Sequence, residues 1–358
     1  MYISSANNFD FLRLIFAITV FFVHSVELTH NDKLEIIKYV FNSGIAVKSF
    51  FIISGFLIFM SYEKSISLKS YIIKRIQRIY PAYFCVVLLC GFLGSLLSNL
   101  SFNEYFKSII TWKYIFYNLI FLNFLQPFLP GVFENNLLNI VNGALWTLKI
   151  EVLFYIFVPV FTWVFLKQNK RNKNFLIVLI YILSEVYFNY FNHLSTSSGH
   201  SFYAELSRQL PGQMAFFMSG ILIYYNFAIF MEYSKQLLLM AIVIYFSLSF
   251  THLYFLEPII LACMVMYFAF HFPAFNKVGK YGDFSYGCYI LHFPILQTLI
   301  QIGLFQYNPY LAFAISSFLL ILGAFFSWHI IEKPFLRRKQ QVKLVSDLRL
   351  PNQDPIIN

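Results

Sequence analysis

The sequence predicts an all-α protein, a polytopic transmembrane helical bundle of about ten spans with both termini cytoplasmic, and three observations carry that prediction. The 358 residues are 59% hydrophobic and 12% charged, with 46 Phe and 25 Tyr, a composition outside the range of soluble globular chains. Apolar windows of about 17 to 23 residues recur from end to end, near the ~20 residues that cross ~30 Å of hydrocarbon. Lysine and arginine collect in alternate loops between those windows, as the positive-inside rule requires.

The first span is placed at 9–28. Its leader MYISSANNFD lacks a basic n-region and no small-residue cleavage site follows, so the span is expected to stay in the protein. It carries Arg13 and His24. At ~100° per residue these lie within ~20° of one helix face, ~16 Å apart along the axis. Ionisable groups inside a span point into the bundle or a water-filled cavity, which makes both candidates for function. The plainer reading is an arginine snorkelling to the interface and a histidine satisfied within the bundle.

The second span, 42–61, reads GIAVKSFFIISGFLIF. Lys48 stands ~9 Å below the outer edge and either reaches the interface or serves inside. The small pair Ser54-Gly55 deeper down reads as a close helix contact. The third span, 79–98, is entered through YIIKRIQRIYPAYF, where Arg75 and Arg78 at i and i+3 share a face at the cytoplasmic border. Arg13 lies at that level, so three guanidinium groups are placed to converge on a phosphate or carboxylate. Pro81 fits a first helical turn.

The stretch 112–126 is apolar but short, and it stops at prolines. Counted as a span it would invert everything after it and turn the basic loop 167–173 and the basic tail outward. It is therefore expected to be re-entrant or interfacial on the outer side. The fourth span, 144–166, sets Glu151 ~11 Å below the outer surface, with Tyr155 one turn further in and Lys149 nearby. Glu151 either pairs with Lys48 as structural glue or orients His24.

Spans at 175–191, 212–230, 237–252 and 257–272 carry no recognisable chemistry. The ninth, 283–304, aligns Ser285, Tyr289 and His292 at i, i+4 and i+7, a polar stripe that suits a pocket wall or a satisfied core equally. The tenth, 310–331, ends at Trp328, His329 and EKPFLRRK, an interfacial anchor before a basic cluster. One transmembrane domain is thus expected over 1–335, with a basic then polar cytoplasmic tail at 336–358.

The net charge of +10 reports topology and not nucleic acid. With the N-terminus inside, the inner segments collect Lys64, Lys69, Lys74, Arg75, Arg78, Lys167, Lys170, Arg171, Lys173, Lys235, Lys277, Lys280 and the tail cations, against Lys33, Lys38, Lys107, Lys113 and Arg208 outside. The four cysteines fall in apolar segments without metal or redox spacing, so they read as small core residues. No Gly-rich phosphate loop, HExxH or GxSxG occurs, and any chemistry rests on His, Glu, Arg and Tyr.

In order along the chain stand Arg13 and His24, FFIISGFL at 50–57, the RxxRIxPxY pattern of Arg75 through Tyr83, and WxLxxExxFY as Trp146, Leu148, Glu151, Phe154 and Tyr155. GxxSYxxYxxHxP follows as Gly282, Ser285, Tyr286, Tyr289, His292 and Pro294, and EKP closes the series at Glu332. Taken together these resemble the integral membrane acyltransferase 3 family, the O-acetyltransferases of cell-surface glycans, over nearly the whole length. Two lysines depart from it: Lys48 stands where many relatives carry an acidic residue, and Lys149 adjoins Glu151. The hydrolase-like extracytoplasmic domain of some relatives is not seen, so the chain is expected to act alone or with separate glycan-assembly partners.

The resemblance implies a multi-pass protein of the bacterial inner membrane with no bound cofactor or metal. It implies acetyl-CoA as donor, its phosphates on Arg13, Arg75 and Arg78 and its pantetheine arm threaded into the bundle. The acceptor is a hydroxyl of O-antigen, capsule or exopolysaccharide. His24 is implied as general base with Glu151 orienting it, and Tyr155, Ser285, Tyr289 and His292 as groups that bind substrate or steady the oxyanion. A transporter or flippase for a glycan or lipid intermediate remains the alternative from another class, and a succinyl transferase the alternative within this one. Against transport, the two halves show no matched pair of broken helices.

Overall fold

In the computed structural model, which describes residues 7–251 and 253–336, every regular element is helical. The tail expected at 336–358 lies, beyond Leu336, outside the described residues. The long helices are α1 (Phe9–Glu27), α2 (Ser43–Glu63), α3 (Leu68–Leu93), α4 (Ile109–Leu119), α5 (Leu145–Leu166), α6 (Lys170–Ser198), α7 (Leu210–Tyr225), α8 (Phe227–Thr251), α9 (Glu257–His271), α10 (Ser285–Gln301) and α11 (Pro309–Phe326). The last of these runs on into a π-helical turn, Ser327–Glu332.

Local chemistry sets several starts. Side chains of Asn42, Ser67, Asn169 and Asn308 each accept a backbone N–H of the turn they open. Pro211, Pro258 and Pro309 occupy first turns, where a missing N–H costs nothing. Pro81 differs from expectation: α3 begins at Leu68 and carries Pro81 in its interior.

Among the described residues, eight helical stretches are long and apolar enough to cross a membrane: those of α1, α2, α3, α5, α6, α8 and α11, and α9 taken together with the 3-10 turn before it as Tyr254–His271. The other two expected spans correspond to α7, of 16 residues, and α10, of 17. Both are central. Residues 212–221 of α7 are buried without a break, and α10 hides all but a few side chains. Helices buried on every side need no amphipathic face, so these two lie at the heart of the bundle.

The contact of α2 with α7 depends on two glycines. A Cβ at Gly55 would stand 2.0 Å from the Phe217 carbonyl oxygen, and one at Gly220 would stand 2.2 Å from that of Ile52. Both obstacles are backbone, so no side-chain rotation relieves them. Gly55→Ala is expected to force the helices apart at a cost of about 1–3 kcal/mol. Thermal unfolding of the purified chain in detergent reads this, and an unchanged midpoint would refute the close approach. The small pair noted in the sequence therefore divides: Gly55 packs, while Ser54 lines a cavity.

At the end of the bundle opposite the basic loops, α4 is only 11 residues, about 16 Å, and cannot cross. The chain then turns back. Asn118 donates to the carbonyls of Tyr114 and Gln126 (2.8 and 3.0 Å) and accepts the Tyr83 hydroxyl on its own carbonyl (2.7 Å). The following loop, up to residue 144, is held against α10. The Gln297 amide donates to the Leu138 and Ile140 carbonyls (2.6 and 2.7 Å), and that of Asn142 to the Ile290 carbonyl (2.9 Å).

Candidate active site

Arg13 of α1 and Arg78 of α3 meet at the basic end of the bundle around one carboxylate, Asp283, which precedes α10. Arg13 lies 3.2 Å from it, and Arg78 and the Ser285 hydroxyl both bond to it. Asp10 pairs with Arg13 from the other side, and Glu332 in the π-helical turn reaches Arg78 at 3.4 Å. Glu332 is 1% exposed and accepts the Ser327 hydroxyl as well. Two of the three expected arginines are thus held by carboxylates. The third, Arg75, among the described residues donates only to the Ser61 hydroxyl (2.9 Å) and lies over the rings of Tyr155 and Tyr71. Lys74 beside it donates to Ser65 at 3.0 Å. The buried Nε groups of Arg13 and Arg75 have no hydrogen-bond acceptor.

These cations line a cavity of about 430 Å³ that runs into the bundle between α2, α3, α5 and α10. Its walls are apolar, from Val47, Phe51, Ile53 and Leu148, with Glu151 and Tyr155 set among them. The Tyr155 hydroxyl donates to Glu151 at 2.6 Å, the i, i+4 pair of one helix face. Thr147 and Tyr289 are the lining residues of α5 and α10 furthest from the arginine end, and their hydroxyl oxygens are 2.7 Å apart.

Past Tyr289 along α10 stands a pair of histidines. Nδ1 of His24 lies 2.8 Å from Nε2 of His292, with ring centroids 5.0 Å apart. His292 is 0% exposed, and the Tyr289 ring packs on it at 5.8 Å. His24 keeps 22% of its side chain open at the end of the bundle opposite the arginines, with Glu27 3.9 Å from its Nε2. Phe293, packed on Gly143, stands edge-on to the His24 ring. The site is therefore a cationic pocket and an imidazole pair toward opposite ends of the bundle, joined through Tyr289, which lines the pocket and packs on His292.

The structure places the sequence candidates as follows. Arg13, Arg75, Arg78, Glu151, Tyr155, Ser285 and Tyr289 share the cavity, while His24 and His292 sit past its end. Neither expected partner of Glu151 holds. His24 is bonded to His292, and Lys48 reaches Glu257 of α9 at 2.7 and 2.8 Å, because its side of α2 faces α9. Lys149 points away to Gln209 at 2.7 Å and over the Phe124 ring. Asp283, Glu332, Thr147 and Glu27 were not read as site residues. Of these, Glu332 heads the EKP motif but is given no chemistry there, and Glu27, at i+3 from His24 and acidic at a span end, carries a local signal.

The family described as acyltransferase domain matches residues 7–331. The chain is similar to an O-acetyl transferase of Shigella phage Sf6, 28% identical over 342 residues that cover 93% of this chain and 97% of that one. It is similar to nodulation protein 10 of Rhizobium leguminosarum bv. viciae, 27% identical over 92% of this chain and 93% of the other. A peptidoglycan O-acetyltransferase of Listeria monocytogenes is 32% identical over 149 residues, 38% of this chain and 22% of its own length. No solved structure matches.

Proposed function

The chain belongs to the acyltransferase domain family, and on that premise we propose that it moves an acetyl group from cytosolic acetyl-CoA to a hydroxyl of a cell-surface polysaccharide. The observation that carries this reading is the arrangement of a cation-lined cavity and a partly open histidine pair, toward opposite ends of the bundle and joined through Tyr289. The lysine and arginine distribution favours the arginine end as cytoplasmic, with both termini inside a bacterial inner membrane.

Acetyl-CoA enters there, its phosphates on Arg75 and Lys74, whose charges no carboxylate among the described residues engages, and on the Nε of Arg13, which has no partner among them. Arg78, held by Asp283 and Glu332, fixes the mouth's shape. Ser285, through Asp283, fixes it too. The pantetheine arm lies along the apolar walls, and Glu151 and Tyr155 offer it an acceptor and a donor for its amides. Glu151 thus serves the donor arm and not His24.

The sugar hydroxyl arrives at the exposed side of His24. For Nε2 to accept its proton, Nδ1 must carry the hydrogen and donate to Nε2 of His292. His292 then does for His24 what a carboxylate does in a Ser-His-Asp triad: it fixes tautomer and orientation. Glu27 faces the imidazolium that forms. The hydroxyl oxygen attacks the thioester carbon, the C–S bond breaks, and the sulfur leaves with the electron pair and takes the proton back from His24.

Mass spectrometry of surface glycans tests this, in cells with the wild-type chain and in cells without it. A gain of one acetyl mass per modified sugar is expected only with the chain. No acyl gain, together with a fall in glycan export when the chain is removed, would overturn the transferase reading in favour of transport.

A further inference from the structure

We propose that Tyr289 supplies the hydrogen bond to the oxyanion, and that Thr147 is a positioning residue that holds the Tyr289 hydroxyl until a thioester carbonyl replaces it. The inference rests on the acetyl-transfer reading above and adds the gate between its two halves.

Four observations lead there. Thr147 and Tyr289 line the end of the donor cavity, whereas His24 and His292 lie past it. Both side chains are buried, 6% and 7% exposed, and their oxygens are 2.7 Å apart. The Thr147 hydroxyl also lies 3.0 Å from the Ala144 carbonyl and donates to it. A hydroxyl has one hydrogen, so both hydroxyls are bonded as donors when Thr147 gives its hydrogen to Ala144 and Tyr289 gives its own to Thr147. In that arrangement the Tyr289 O–H is aimed, at rest, at an sp³ oxygen at the end of the cavity away from the arginines.

A thioester reaching that end brings its carbonyl oxygen to the place of Thr147 Oγ1. The Tyr289 O–H transfers to it, a neutral bond for a neutral bond. As the sugar oxygen adds to the carbon, the carbonyl oxygen takes the electron pair of the C=O double bond, and the same O–H···O contact becomes charge-assisted and stronger. Collapse returns the pair, the C–S bond breaks, and the proton held on His24 goes to the sulfur. Tyr289 keeps its proton throughout. On this proposal the Thr147–Tyr289 bond, without a thioester, stands between the donor cavity and the histidines and bars water from the thioester's place. The pair thus serves both as oxyanion donor and as a bar to wasteful hydrolysis.

The test uses the full chain in nanodiscs with acetyl-CoA as the probe and thiol release as readout without glycan, alongside acetyl gain on surface glycans in cells at matched protein amounts. Tyr289→Phe is expected to lower both thiol release and transfer by about 10²- to 10³-fold with the KM for acetyl-CoA little changed. Thr147→Val, which keeps shape but removes the acceptor, is expected to raise glycan-independent thiol release relative to transfer about tenfold. Thr147→Ser, which keeps the hydroxyl, should match wild type and separates this role from packing. Transfer by Tyr289→Phe within threefold of wild type, or a Thr147→Val ratio equal to wild type, would overturn the gate. A wild-type chain that consumes no acetyl-CoA and adds no acetyl group would instead overturn the acetyl-transfer reading, and the gate with it.

Discussion

In cells carrying His24→Ala, acetylation of the surface glycan is expected to fall by about 10²- to 10⁴-fold, the contribution of a positioned general base. That is ~3–5 kcal/mol of lost transition-state stabilisation. The site offers no substitute at that position, since the other imidazole, His292, is wholly buried and stands behind His24. The sharper result comes from His292. Its removal leaves Nδ1 of His24 without an acceptor, so the ring loses its fixed tautomer; His292→Ala should cost on the order of 10- to 10²-fold. His292→Gln places an amide oxygen near the former Nε2 and should recover most of that loss, which a purely structural histidine would not require. Glycan mass spectrometry at matched membrane levels reads all three. Full acetylation in His24→Ala would sink this chemistry while leaving the family intact, and equal activity of His292→Ala and wild type would remove the second histidine from it.

The contrast between His24 and Glu151 marks how far the sequence reaches. Span lengths and loop charges are local properties: each of the ten expected spans falls on a helix, eight of the stretches among the described residues are long and apolar enough to cross, and the helix that enters 112–126, Ile109–Leu119, has only 11 residues. The Glu151–Tyr155 bond is legible for the same reason, being an i, i+4 relation on one helix. Which span faces which is a different matter. His24 and His292 are 268 residues apart, Lys48 and Glu257 are 209, and Arg78 and Glu332 are 254. Depth alone put Glu151, Lys48 and His24 at similar levels, yet a helix has a full turn of azimuth at each level. α2 spends it by turning Phe50 to the cavity and Lys48 to α9. Asp283 was invisible on other grounds: it looks like a loop residue opening a helix, and only the approach of α1 and α3 makes it the anion between two arginines.

That anion divides three arginines that the sequence treated alike, and their substitutions are expected to fail differently. Arg78→Ala removes the arginine partner of the buried Glu332 and one of the two guanidinium groups around the partly buried Asp283, which leaves Asp283 to Arg13 and Glu332 with the Ser327 hydroxyl. Breaking a buried pair in this way costs about 3–5 kcal/mol. The chain should accumulate poorly and unfold at lower temperature, with activity lost in proportion to the protein lost. Among the described residues Arg75→Ala touches no carboxylate, only the Ser61 hydroxyl and two aromatic faces, so the fold should survive. What it removes is a charge-assisted contact to a phosphate, worth about 1.5–3 kcal/mol, and the KM for acetyl-CoA should rise roughly 10- to 100-fold while kcat holds. Initial rates over a range of acetyl-CoA concentrations, beside thermal unfolding of the same preparations, read both. An Arg75→Ala chain with an unaltered KM would move the donor's phosphates off this residue. Loss of kcat without loss of stability in Arg78→Ala would mean that its guanidinium meets the donor directly and that Asp283 and Glu332 yield it when the donor binds.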